Sequence, residues 1–163
     1  KRLKTTHAHQ LAASLVFYSP LQTIFWYDKP SFYHGEPEME WFENLQTVFD
    51  DTKVLDGAPG KNITMARRKG QEWFVAAMTN NEGSEEEIPL TFLDKEKNYL
   101  ACIYTDGGEK IKTSTQVKCT YLLVNASQTM KFQLKPSGGA AIRLVPIDRQ
   151  EMKKYKKYKG ERL

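Results

Sequence analysis

Apolar and polar positions change period once along the chain. From 9 to 18 (HQLAASLVFY) Leu11, Leu15 and Tyr18 recur at helical spacing with Ala12 beside them, which predicts a helix. Ser19-Pro20 ends it, because a residue before proline is pushed out of the α region. A short apolar run over 21–27 leads to a loop over 28–35 rich in Pro, Ser and aromatics. The next segment, 36–49 (EPEMEWFENLQTVF), predicts a second amphipathic helix. Pro37 suits its first turn, and Glu36, Glu38 and Glu40 complement the positive end of the helix dipole. Met39, Phe42 and Leu45, extended by Phe49, form its expected buried stripe.

After Asp50-Asp51 the period falls to two. Strands are predicted over 53–56, 62–68, 73–79, 88–93, 99–105, 120–124, 130–135 and 140–145, punctuated by Asp56-Gly57, Pro59-Gly60, Lys69-Gly70 and Gly138-Gly139. In the third run Trp73, Val75 and Ala77 line one face and Phe74, Ala76 and Met78 the other. Such a strand is covered on both sides and belongs at the centre of a sheet. Met130, Phe132 and Leu134 alternate with Lys131, Gln133 and Lys135, so that strand shows one face to water. Seven or eight short antiparallel strands in about 95 residues suit a β-sandwich. The chain is therefore read as mainly β, an antiparallel sandwich over 52–147 preceded by a helical part over 1–51. Residues 148–163 offer no stripe beyond Met152, Tyr155 and Tyr158 and are expected to fray.

At 163 residues the chain can hold one domain with a good core, or one domain and part of another. Its first residue is Lys1 and it enters a helical pattern without a signal-peptide succession, which predicts a piece of a longer protein. The formal charge of +4 lies in the tail, where seven basic and three acidic residues fall between Asp148 and Leu163. The body is neutral, which argues against a nucleic-acid partner. No apolar run approaches the roughly 20 residues of a membrane span, so no membrane partner is expected either. Cys102 and Cys119 lack metal-ligand spacing and are read as buried thiols, a cross-strand disulfide staying open should their strands be neighbours.

Candidate chemistry is sparse. His7 and His9 resemble a metal pair, but i and i+2 on a helix point to different faces. Glu36, Glu40 and Glu43 share a predicted helical face, and paired carboxylates hydrolyse glycosides, yet acids at a helix start are also what the dipole favours. Asp50 and Asp51 suit a capping role at the junction. Arg67-Arg68-Lys69 could meet phosphate but read as a solvated hairpin edge. Trp73 could stack on sugar but reads as core; Tyr99, Tyr104 and Tyr121 could form an aromatic platform but more commonly close a core. Asn62-Ile63-Thr64 and Asn125-Ala126-Ser127 are glycosylation sequons, informative in a eukaryotic secretory setting. Neither a phosphate loop nor a nucleophile elbow is present, and no catalytic, cofactor-binding or metal residue is assigned.

Several stretches together resemble glycoside hydrolase family 97. Thr6-His7-Ala8-His9-Gln10-Leu11-Ala12 and Val16-Phe17-Tyr18-Ser19-Pro20-Leu21-Gln22 are similar to the closing helical part of its catalytic barrel. Asp51 to Gly57, Gly60, Ala66 to Gly70, Trp73-Phe74-Val75 and Met78-Thr79-Asn80 resemble the start of its C-terminal sandwich. Tyr99, Ile103 to Gly107 and Gly138-Gly139-Ala140 fit the later strands. A Trp-Asp-Glu-Thr-like run usual in the family is here Phe49-Asp50-Asp51-Thr52.

The resemblance implies an α-glucosidase or α-galactosidase, commonly periplasmic, whose carboxylates and calcium ligands precede this region. This chain alone is then expected to be inactive, to bind no calcium itself, and to brace the rest of the same polypeptide, which takes the oligosaccharide substrate. Leu11, Leu15, Phe42 and Leu45 are expected to pack on the barrel, so that the isolated piece self-associates or repacks. The alternative is a stand-alone carbohydrate-binding sandwich without catalysis. A third reading, an interaction protein driven by its tail, would show binding that collapses with salt.

Overall fold

The computed structural model describes residues 4–24, 26 and 29–163. Two helices come first: α1, His7–Val16, and the short α2, Met39–Asn44. Nine strands follow: β1 Asp51–Ala58, β2 Asn62–Lys69, β3 Glu72–Thr79, β4 Ser84–Pro89, β5 Asn98–Asp106, β6 Val117–Asn125, β7 Thr129–Leu134, β8 Gly139–Pro146 and β9 Lys156–Lys157. Seven of them form one sheet in the order β1-β2-β3-β8-β5-β6-β9, and β4 and β7 form a two-stranded sheet. All pairings are antiparallel except β9, which runs parallel to β6. The fold is mainly β, as expected, and no helix among the described residues is long and apolar enough to cross a membrane.

Alternation along β3 generates two cores. Trp73, Val75 and Ala77 join Ile103, Ile142 and Leu144 beneath β4 and β7, which contribute Ile88, Met130, Phe132 and Leu134. Phe74, Ala76 and Met78 face the opposite way and meet Leu11, Leu15 and Trp41 of the helical layer. β3 lies between β2 and β8, as a strand apolar on both faces should. The helix–sheet approach depends on Gly139: a Cβ there would stand 2.9 Å from the His9 Cα and from the Ala77 carbonyl oxygen. The β2–β3 reversal falls at Lys69-Gly70, with Gly70 at φ 58°.

The helices and the fourth strand depart from the sequence reading. Leu11 and Leu15 are fully buried against the chain's own sheet, not held out for a barrel. The second helix spans six residues, not 36–49, because Leu45 turns extended at ψ 127°. Its fully buried residue is Trp41, while Met39, Phe42 and Leu45 are half-buried. The fourth strand is the acidic segment Ser84–Pro89 rather than 88–93. There Glu86 is buried but accepts hydrogen bonds from Asn62 Nδ2 (3.0 Å), Thr64 Oγ1 (3.2 Å) and Ser84 Oγ (2.6 Å).

The tail is ordered, contrary to the expected fraying. β9 pairs with Leu122–Leu123, and the Tyr158 hydroxyl accepts from the Lys131 N–H (3.0 Å) and donates to the Glu161 carbonyl (2.8 Å). Arg162 forms a fork onto Glu85 at 2.5 and 3.0 Å, and Leu163 hydrogen-bonds to β7 through the Lys131 carbonyl. The strap thus joins the edges of both sheets.

Candidate functional site

The acids and aromatics singled out in the sequence converge mainly on the helical face of the large sheet. Tyr104 on β5 and Tyr121 on β6 point to this face, and both hydroxyls donate to the same Glu40 oxygen, at 3.1 and 3.0 Å. Arg143 on β8 approaches the other Glu40 oxygen at 3.9 Å while holding Glu72 in a two-pronged pair at 2.8 and 3.1 Å. Burial first, and then the Glu40 carboxylate, push both phenols well above the ordinary tyrosine range, so they stay protonated and donate. Tyr99 is buried on the opposite face, so the three tyrosines make no platform.

Glu36, Glu40 and Glu43 do not share a face, because Glu36 precedes the short helix. It is buried and accepts from the His34 N–H at 2.8 Å, whereas Glu43 is exposed. Hydrolysis of a glycoside needs two carboxylates flanking one bond. Here the acid best placed among them is a latch between α2 and three strands.

Arg67 departs from the solvated edge expected of it. Its Nε donates to the Leu15 carbonyl (3.0 Å) at the end of α1, and its Nη1 to Thr52 Oγ1 (2.8 Å). The guanidinium also lies 4.9 Å from the Tyr18 ring and 5.9 Å from that of Phe49. A cation at a helix C-terminus meets the negative end of the dipole, so Arg67 fastens α1 to β1 and β2. Asp50 caps the β2–β3 hairpin turn rather than the junction. It accepts from the Gly70 N–H at 2.7 Å, with Lys69 at 3.3 Å and Arg68 at 4.0 Å, and these partners hold its carboxyl below the usual aspartate range. Asp51 instead pairs with Lys53 at 3.3 Å.

His7 and His9 diverge as helix geometry requires. His9 Nδ1 lies 3.0 Å from the Gly138 carbonyl, and His7 packs edge-on to Trp26 at 5.2 Å. Burial lowers the His7 pKa, opposed by nearby Glu38. Glu38, read in the sequence as complementing the helix dipole, is fully buried; one of its oxygens accepts from Thr115 and the other has no hydrogen-bond partner among the described residues. Nothing in residue type or spacing links Glu38 to Thr115, 77 positions away. Trp73 is core, edge-on to Phe92 at 4.8 Å. Cys102 and Cys119 lie on neighbouring strands but pair in register with Tyr121 and Tyr104, and both thiols are free.

Two recesses flank α1. A cleft of about 440 Å³ between the start of α1 and the 107–116 loop is lined by His7, Asp106, Thr115, Gln116 and Lys135 among others. An apolar groove of about 620 Å³ lies at the other end of α1, lined by Phe17, Val54, Gly57, Ile63 and Met78 with the Pro59-Gly60 turn. Among the described residues no three His, Cys, Asp or Glu side chains gather as a metal site.

Against known proteins, residues 48–145 match the family model described as glycosyl-hydrolase 97 C-terminal, oligomerisation. The chain is 35% identical over 140 residues to a retaining alpha-galactosidase of Bacteroides thetaiotaomicron, covering 85% of this chain and 21% of that protein. It is 25% identical over 135 residues to a probable retaining alpha-galactosidase of Streptomyces bingchenggensis, covering 82% and 20%. Among solved structures, a glycoside hydrolase family 97 enzyme in complex with acarbose from Pseudoalteromonas sp. strain K8 superposes with TM-score 0.79 at 34% identity, over 90% of this chain and 23% of that one. A beta-arabinopyranosidase superposes with TM-score 0.67 at 25% identity, over 86% and 21%. The chain spans about a fifth of the length of the curated relatives it matches.

Proposed function

The chain belongs to glycoside hydrolase family 97 as its C-terminal portion, and on that premise we propose that it is the bracing and self-association module of an α-glycosidase. The hydrolytic carboxylates lie in the remainder of that polypeptide. The observation that carries this reading is the two-sided burial of the seven-stranded sheet, with Glu40 and Arg67 spent on fixing the helical layer to it.

In this reading residues 1–51 are the closing helical part of the catalytic domain, 52–147 the accessory sandwich and 148–163 its strap. The substrate is an α-linked galactoside, the activity named for both curated relatives, with α-glucosides as the second class to test. Calcium, as the family resemblance implies, is placed in the remainder of the protein, and the location is periplasmic. The test is hydrolysis of 4-nitrophenyl α-galactoside and α-glucoside by the full-length protein, with calcium and with chelator. Galactoside turnover that falls with chelator is expected; turnover of neither substrate would overturn the reading.

A further inference from the structure

We propose that the apolar groove at the end of α1 is where two copies of this chain meet, each inserting Phe17 into the other's groove. This rests on the self-association reading above and assigns it a surface. The groove has its floor in Ile63 and Met78, which face each other across β2 and β3, with Gly57 opposite Ile63 on β1. Its walls are Phe17, 72% exposed, and Val54, 66% exposed. Lys61 is the one charged residue in its lining among the described residues. Large apolar recesses rimmed by exposed apolar side chains mark interaction sites on soluble proteins.

Two features select a second copy as the occupant. The matched family model is described by oligomerisation, which makes a like partner the expected one. The patch also carries a protruding ring beside an apolar hollow, the self-complementary arrangement that a two-fold interface requires. Phe17 projects from a fixed backbone position, because as the C-cap of α1 its N–H donates to the Ala13 carbonyl at 2.9 Å. Strand addition along β1 is the less favoured geometry. The register of β1 shifts between Val54 and Asp56, and a bulge bends an edge away from further pairing. Side chains in the groove, not the strand edge, then carry the contact.

The experiment is sedimentation velocity of the full-length protein as wild type and as Phe17→Glu, Val54→Glu and Phe32→Glu. Phe32, 48% exposed, lies outside the groove lining and serves as the control. The expected result is an oligomeric wild type, oligomeric Phe32→Glu, and dissociation of the other two. Phe17→Ala should weaken association by roughly a hundredfold or more, since the ring is lost from both copies. A wild type that is monomeric at all concentrations would overturn the self-association reading itself. An oligomer that both groove variants leave intact would overturn only the groove. Groove variants that lower the melting temperature or turnover of the full-length protein without changing its mass would assign the groove to the rest of the same polypeptide, and likewise overturn the proposal.

Discussion

Replacing Trp41 by alanine should remove a large part of the chain's stability, and the structure indicates how much. The indole is fully buried between the helical layer and the large sheet. It packs edge-on against Phe74 at 5.8 Å and Tyr104 at 6.1 Å, and its N–H donates to Ser14 Oγ at 2.9 Å. Ser14 passes the interaction on, donating to the Leu11 carbonyl at 2.6 Å, so one side chain links α2, α1, β3 and β5. Truncating a buried Trp costs about 3–5 kcal/mol, a substantial share of the roughly 5–15 kcal/mol of a typical domain. Trp41→Phe keeps much of the packing but loses the donor to Ser14, and should cost about 1–2 kcal/mol. Urea unfolding followed by far-ultraviolet circular dichroism gives both numbers, with hydrogen exchange of α1 read in parallel. A Trp41→Ala cost below about 1 kcal/mol, with α1 exchange unchanged, would refute the two-sided core; a drop in the denaturant slope would show the helical layer coming away as a separate unit.

Three further outcomes follow from particular contacts. Removing residues 148–163, or making Tyr158→Ala, should speed hydrogen exchange in β6 and β7, because the strap is tied to both; unchanged exchange would contradict the tail's role. Burial pushes the Cys102 and Cys119 thiols up to about 12, so alkylation at pH 8 should run roughly a thousandfold slower than for a free cysteine. It should accelerate as pH rises, and a mild oxidant should leave both thiols titratable by mass, since their register is diagonal; rapid labelling or a disulfide mass would contradict this. The carboxylate of Asp50 is the bonded form, so the stability it adds is present above the ordinary aspartate pKa and lost as pH falls through its lowered value. Asp50→Asn should therefore flatten the acid limb of the stability profile below about pH 4, and an unaltered limb would count against the cap.

What was legible in the sequence followed the reach of local periodicity. β3 was recognisable as central because Trp73 to Met78 are apolar at every position, and the β2–β3 turn because Lys69-Gly70 separates two alternating runs. β4 escapes the pattern because three consecutive glutamates carry no apolar alternation; the donors that make Glu86 an inside residue include Asn62 and Thr64 on another strand. The same non-local logic hid the role of Arg67, whose partner is a helix carbonyl 52 positions away, and that of Glu40, whose two phenols come from β5 and β6. The short α2 misled in another way: a fourteen-residue pattern placed the stripe at Met39, Phe42 and Leu45, but one and a half turns bury only Trp41 fully. One of the tail's anchors is visible as Tyr158 within a basic run, yet its burial depends on Lys131 and Glu161 closing around the hydroxyl.

The most direct test of the central claim, that this chain braces and assembles an enzyme whose chemistry lies elsewhere in the polypeptide, is an activity assay on the 163-residue chain alone. Aryl α-galactoside and α-glucoside would be offered with calcium and with chelator, beside the full-length protein. The account predicts turnover by the full-length protein and none by the chain. Turnover by the chain that co-purifies with it through successive columns would contradict the account, and would return Glu36, Glu40 and Glu43 to consideration as reacting groups.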